Sequence, residues 1–241
     1  MFIESIHSVI NAHPWLLLVT FFVLVAVIVV VSLFCRASRK KEIEKFAGRY
    51  GWKFSADYKT PEELFKQTGF SFFNKEENRR AENFVTGMEN SYSKVIYFDY
   101  SYETYDGSRE NESERYYRYF FSCALVTLNE GELPSFRLEP ETILTRMAEK
   151  TTGLQDIDFD DFPDFSDNYR LEGEDEELVR KFFNRTVLES FERQKGLDVY
   201  AKGRQMLVVK QRVGTIRIYP FLENVRDIAS TLGAEIKKFR P

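Results

Sequence analysis

"KVIYFDYSY", residues 94 to 102, decides the fold class of this chain. A repeat of two places Ile96, Phe98, Tyr100 and Tyr102 on one side of an extended strand, and β-branched and aromatic residues suit a pleated, half-buried surface. The same pattern recurs at 80 to 88 and 115 to 128. Between the second and third runs lies "ETYDGSRENESE", which is polar and contains Asp106-Gly107, so a long exposed hairpin loop is predicted. Three consecutive runs joined in this way form an antiparallel meander. "SFRLE", residues 135 to 139, predicts a further short strand leading to a helix at about 140 to 149.

Outward from the meander the period becomes helical. Upstream, "KKEIEKFAGRYG" carries Ile43, Phe46, Ala47 and Tyr50 at helical spacing, with an end expected near Gly48 or Gly51. "TPEELFKQ" offers Thr60 as N-cap, Pro61 in the first turn and Glu63 to complete a capping box. Downstream, "NYRLEG" reads as a strand. "EDEELVRKFFNRTVLESFERQKG" reads as one broken helix or two short ones, with Leu178, Val179, Phe182 and Phe183 inward in its first part. Thr186 and Glu189 suggest a second capping box, with Val187, Leu188 and Phe191 inward. "LDVYAKGRQMLVVKQ" is a hairpin turning near Gly203, and residues 220 to 237 carry the helical stripe Phe221, Leu222, Val225, Ile228, Leu232 and Ile236. The expectation is an α+β region of antiparallel sheets with packed helices, in a first half at 51–150 and a second at 151–241.

Ahead of this region, "WLLLVTFFVLVAVIVVVSLF", residues 15 to 34, contains no charge. As a helix it spans about 30 Å, the hydrocarbon thickness of a bilayer. Trp15 stands at one end, where indole favours the interface. The preceding residues contain no Lys or Arg, the run is longer than a signal core, and bulky Phe34 precedes Cys35, so an uncleaved anchor is expected at 15–35. Arg36, Arg39, Lys40 and Lys41 follow at once and open a basic juxtamembrane helix at 36–50. The positive-inside rule then leaves residues 1–14 as a short extracytoplasmic tail and the bulk of the chain in the cytoplasm, at an inner membrane. The same four cations would lie against the membrane surface, making the lipid bilayer a partner.

Composition narrows the chemistry. The histidines are His7 and His13, both ahead of the apolar run, so His-dependent triads and His-rich metal sites are not expected in the main body. Cys35 and Cys123 form no CxxC pattern. There is no GxxxxGK[ST] or GxGxxG, and no cofactor signature. Lys and Arg total 34 against 38 Asp and Glu, and four of those cations lie in 36–41, which disfavours nucleic acid as a partner.

The stretch "LQDIDFDDFPDFSDNYRLEGEDEE", 154 to 177, poses the main chemical question. Asp156, Asp158, Asp160, Asp164 and Asp167 fall at the first, third, fifth, ninth and twelfth positions of a calcium loop. However, Asp161 occupies the place that needs Gly, Pro163 the eighth, and the twelfth lacks the bidentate Glu. Ile157 and Phe159 alternate with the acids as in a half-buried strand. The expectation is a folding element whose Ile and Phe residues enter the core while the carboxylates stay wet. The competing expectation is a carboxylate-based or divalent-metal enzyme using 156–167.

"GRYGWKF", "VIYFDYSYET", "LPSFRLEPE", "DIDFDDFPDFSDNYRLEGEDEELVRKFF" and "LDVYAKGRQMLVV" together resemble a group of uncharacterised bacterial membrane proteins with an N-terminal membrane helix and a cytoplasmic α+β region. The second half is also similar to a domain of unknown function in other bacterial membrane proteins, through Asp164-Phe165-Ser166, Tyr169, Leu171, Gly173 and Asp175-Glu176. The resemblance implies a shared fold and a bacterial source, and brings no catalytic residues. The function expected is a non-enzymatic interaction or scaffolding module at the cytoplasmic membrane face, binding other membrane or cytoplasmic proteins. The alternatives are the carboxylate enzyme and an accessory subunit of a membrane complex.

Overall fold

The computed structural model describes residues 15–74, 76–89, 93–106, 115–141, 156–194 and 196–239. The predicted tail at 1–14, the helix expected at about 140–149 and the tip of the 103–114 loop lie outside these residues. The fold is mixed α and β, as the sequence periods require.

Two compact units are present, Met1–Glu42 and Ile43–Pro241. The first is built on helix α1, Trp15–Arg49, whose residues beyond Glu42 belong to the second. Its apolar side chains from Leu18 to Phe34 are exposed. It is the one helix among the described residues long and apolar enough to cross a bilayer.

In the second unit the strands are β1 Lys53–Ser55, β2 Glu77–Glu89, β3 Ser93–Asp106, β4 Arg115–Leu128, β5 Leu133–Pro140, β6 Tyr169–Gly173, β7 Asp198–Gly203 and β8 Gln205–Gln211. The helices are α2 Pro61–Thr68, α3 Pro163–Asn168, α4 Glu176–Phe182, α5 Arg185–Glu192 and α6 Ile218–Lys238. The described strands form one sheet in the order β1-β2-β3-β4-β8-β7-β5-β6. The stretches read as separate halves therefore share a sheet, because β8 pairs antiparallel with β4 from Phe121↔Gln211 to Thr127↔Gln205. The reason lies in β8 itself. Met206, Leu207, Val208 and Val209 are buried on both faces, and such a strand needs neighbours on both sides. By contrast β6 carries Arg170 and Glu172 and takes the sheet edge, where charge is tolerated.

Each face of the sheet carries its own core. On the first, α4, α5 and α6 and the last turns of α1 cover Val95, Tyr97, Val126, Leu138, Leu171 and Val208. Ile43, Phe46 and Ala47 are the α1 residues buried there. The whole predicted α6 stripe, Phe221 to Ile236, is buried. On the second face, Leu64 of α2 and Phe70, Phe72 and Phe73 of the following turn pack on Phe84, Phe98, Tyr100, Leu125 and Leu207. The β3 alternation holds as read: Phe98 and Tyr100 are buried on this face, with Ile96 and Tyr102 half-buried beside them.

The caps show where local chemistry wins. Thr60 and Glu63 form the predicted box, with Thr60 N donating to Glu63 Oε2 at 2.7 Å and Glu63 N to Thr60 Oγ1 at 3.2 Å. The second predicted box does not form. Asn184 caps α5 instead, accepting from Val187 N at 3.2 Å, while Glu189 pairs with Arg185 at 2.8 Å. Asn is the stronger N-cap. Its amide also donates to Glu235 Oε2 of α6 at 2.8 Å, tying the two helices. In α4, Val179 and Phe182 are buried, as is the following Phe183, whereas Leu178 is only half-buried.

Candidate interaction surfaces and the acidic stretch

Ile157 and Phe165 of the acidic stretch are buried, and Phe159 and Phe162 pack half-buried against the same core. The rings form a connected nest: Phe159 to Phe165 at 5.8 Å, Phe165 to Phe183 at 6.1 Å and Phe183 stacked on Phe191 at 5.9 Å. The carboxylates diverge. Asp158, Asp160, Asp164 and Asp167 are exposed, and no group of three His, Cys, Asp or Glu among the described residues could hold a metal ion. Residues 156–159 are not a regular strand, unlike the reading from alternation, and Pro163 opens α3 soon after.

Asp156 has a different task from the other acids. Strand β6 is a sheet edge, and an edge strand presents unpaired backbone groups. Leu171 N donates to Asp156 Oδ1 at 2.8 Å, and Ile157 N donates to Leu171 O at 2.8 Å. Two bonds, one from a side chain, thus imitate a ninth strand and close the edge. The Tyr169 N–H is satisfied in turn by Phe165 O at the end of α3. Burial pushes the Asp156 carboxyl up to about 6; the bond from Leu171 opposes the rise and the charge of Asp158 adds to it. Arg180 braces the same segment, donating to Asp158 O at 2.6 Å and lying over the Phe159 ring at 5.7 Å.

A second polar cluster is invisible in motif terms. Asp99 sits on the first face of β3 and is only 3% exposed. It accepts from Tyr97 Oη at 2.9 Å, from Asn83 Nδ2 at 3.0 Å and from Arg212 Nη2 at 3.3 Å. Ser122 Oγ lies 3.1 Å from Tyr97 Oη and accepts from Val213 N at 3.1 Å. Asn83 reaches this position from a bulge in β2, at φ 59°, which Asn tolerates better than most residues. The cluster ties three strands to the connection entering α6. An Asp at an inward register position of β3 was the available signal.

Among the described residues, two surfaces stand out as candidates for a partner. The first is a cleft of about 300 Å³ on the second face, where Phe70 meets β5, β6 and β7. Tyr200, Arg137 and Glu172 stand in one cross-strand row there, with the Arg137 guanidinium 5.1 Å above the Tyr200 ring. Arg137 is paired with Glu139, and Lys202 with Glu174 at 2.9 Å on the rim. Burial, and then the charge of Asp198, pushes the Tyr200 phenol well above its ordinary value. The second surface is the β3–β4 arm, which extends past the end of β8. Tyr116, Tyr117, Tyr119 and Phe120 are exposed by 56%, 43%, 47% and 38%, around the Arg118–Glu103 pair at 2.8 Å. The cationic residues Arg36, Arg39, Lys40 and Lys41 all lie on α1, directly after its apolar run.

No protein-family model matches this sequence, and no curated protein matches it. Among solved structures it is similar to the crystal structure of the mycobacterial trehalose monomycolate transport factor A, TtfA, with a TM-score of 0.50 and 11% identity. The match covers 80% of this chain and 94% of that one. At such identity the likeness is one of fold: this chain and TtfA share an architecture.

Proposed function

We propose that this protein is a single-pass, membrane-anchored accessory module that works by binding other proteins of a membrane assembly. The observation that carries this reading is the β3–β4 arm. The arm shows rings on both of its faces, Tyr117 and Tyr119 on one and Tyr116 and Phe120 on the other, and Tyr and Phe are enriched where proteins meet. The exposed apolar helix supports an anchor, and the charges after it support a cytoplasmic body. The structural neighbour TtfA is named a transport factor, which agrees with a supporting role beside a membrane machine.

A photo-crosslinking residue placed at Tyr117 in the full-length protein, in cells, tests this. A discrete adduct with a membrane protein is expected, lost when Tyr119 and Phe120 are changed to Ser. A control probe at exposed Glu223 of α6 should not give it. Identical adducts from both positions, unaffected by the substitutions, would sink the proposal. A reporter fused after Pro241 checks the address, and periplasmic activity would reverse it.

A further inference from the structure

We propose that Arg36, Arg39, Lys40 and Lys41 form a binding site for anionic phospholipid headgroups, beyond any part they play in orienting the helix. The inference rests on the reading that residues 15–34 cross a bilayer. At 1.5 Å per residue, Arg36 lies about 3 Å beyond Phe34 and Lys41 about 10 Å beyond it. The headgroup layer outside the hydrocarbon core is about 5–8 Å deep, and Lys and Arg stems flex toward it. All four charges therefore reach one layer of phosphates.

Their angular placement matters too. At 3.6 residues per turn the four positions cover an arc of about 200°, so more than one lipid is contacted. No acidic residue interrupts them, the first being Glu42. Lys40 and Lys41 are exposed, and Arg36 and Arg39 are half-buried. A role confined to topology ends at insertion. A headgroup site persists in the mature protein and selects among lipids.

The full chain is purified, reconstituted into nanodiscs of equal parts phosphatidylcholine and phosphatidylglycerol, and the lipids it retains are identified by native mass spectrometry. Phosphatidylglycerol should be enriched at least about fivefold, the factor expected from a single cation near a charged surface. The variant R36Q/R39Q/K40Q/K41Q should lose the enrichment. The charge-conserving R36K/R39K/K40R/K41R should keep most of it, which separates charge from damage to the helix. The control K237Q/K238Q, at the end of α6, should keep all of it. Equal retention of both lipids by the native chain, or enrichment unchanged in the Gln variant, overturns the proposal. Release of the native chain from vesicles by carbonate is a different failure, because it removes the membrane reading itself.

Discussion

Asp156→Asn isolates the cost of closing the β6 edge with a charged group. Asn retains an acceptor for Leu171 N and removes the charge. The Asp156 carboxyl rises from 3.8 to about 6 on folding, so the folded state binds the extra proton between those values. A raised carboxyl contributes stability that is fully present below about pH 4 and lost as pH rises through 6. Two units correspond to about 3 kcal/mol at most, and partial exposure screens this to about 1–2 kcal/mol. The Asn variant should therefore be about 1–2 kcal/mol more stable than the native chain at pH 7.5, with the difference vanishing toward pH 4. Denaturant unfolding of the full chain in micelles, followed by Trp52 fluorescence across that pH range, measures it. Asp156→Ala separates the bond from the charge: it strands a backbone donor at about 1–3 kcal/mol, so most of the gain should disappear. Loss of more than about 1 kcal/mol on Asn substitution at pH 7.5 would refute the account, as would a pH profile identical to the native one.

Further expectations concern the body of the fold and are read by the same denaturation assay. Asn184→Ala should cost about 2 kcal/mol, since it removes the α5 cap and the bond to Glu235, whereas Thr186→Ala should be nearly neutral. Asp99→Ala should cost about 2–4 kcal/mol, because Asn83, Tyr97 and Arg212 lose the carboxylate, although Tyr97 keeps Ser122 and the partly exposed Arg212 regains water. Gly131→Ala should cost about 2 kcal/mol or more: its φ is +75°, and a Cβ there would lie 1.9 Å from Ile236 Cγ2. Gly48→Ala, with open space around it near the end of α1, should instead raise stability by a few tenths of a kcal/mol.

Long periodic segments were legible in the sequence. The β3 alternation, the α6 stripe and the apolar run of α1 each extend over enough residues for one period to dominate. The Thr60–Glu63 box was legible because its geometry is wholly local. Strand order was not, since it is set by contacts far apart in the chain. Only the two-sided apolarity of "MLVV" in β8 hinted that this strand sits centrally. The acidic stretch was half legible. Its rings enter the core as spacing required, but the bond from Leu171 to Asp156 joins residues fifteen apart and has no local signature. The Thr186 reading failed through competition between neighbours, because Asn184 stands two residues earlier and satisfies the same helix end. The Asp99 cluster depends on a bulge that reorients Asn83, and single-strand periodicity does not encode bulges.

The insertion of β8 beside β4 has a consequence for biosynthesis. As the polypeptide leaves the ribosome, the meander β2–β3–β4 is complete roughly 80 residues before its last partner arrives. At 5–20 residues per second that interval is about 4–16 s. Throughout it the Cys123–Val126 edge, among the most hydrophobic in the protein, has nothing to pair with. Such an edge is a template for aggregation in the nascent state. The hairpin β7–β8 then enters as a wedge between strands made earlier, so the middle of the sheet is the last part whose strands are synthesised.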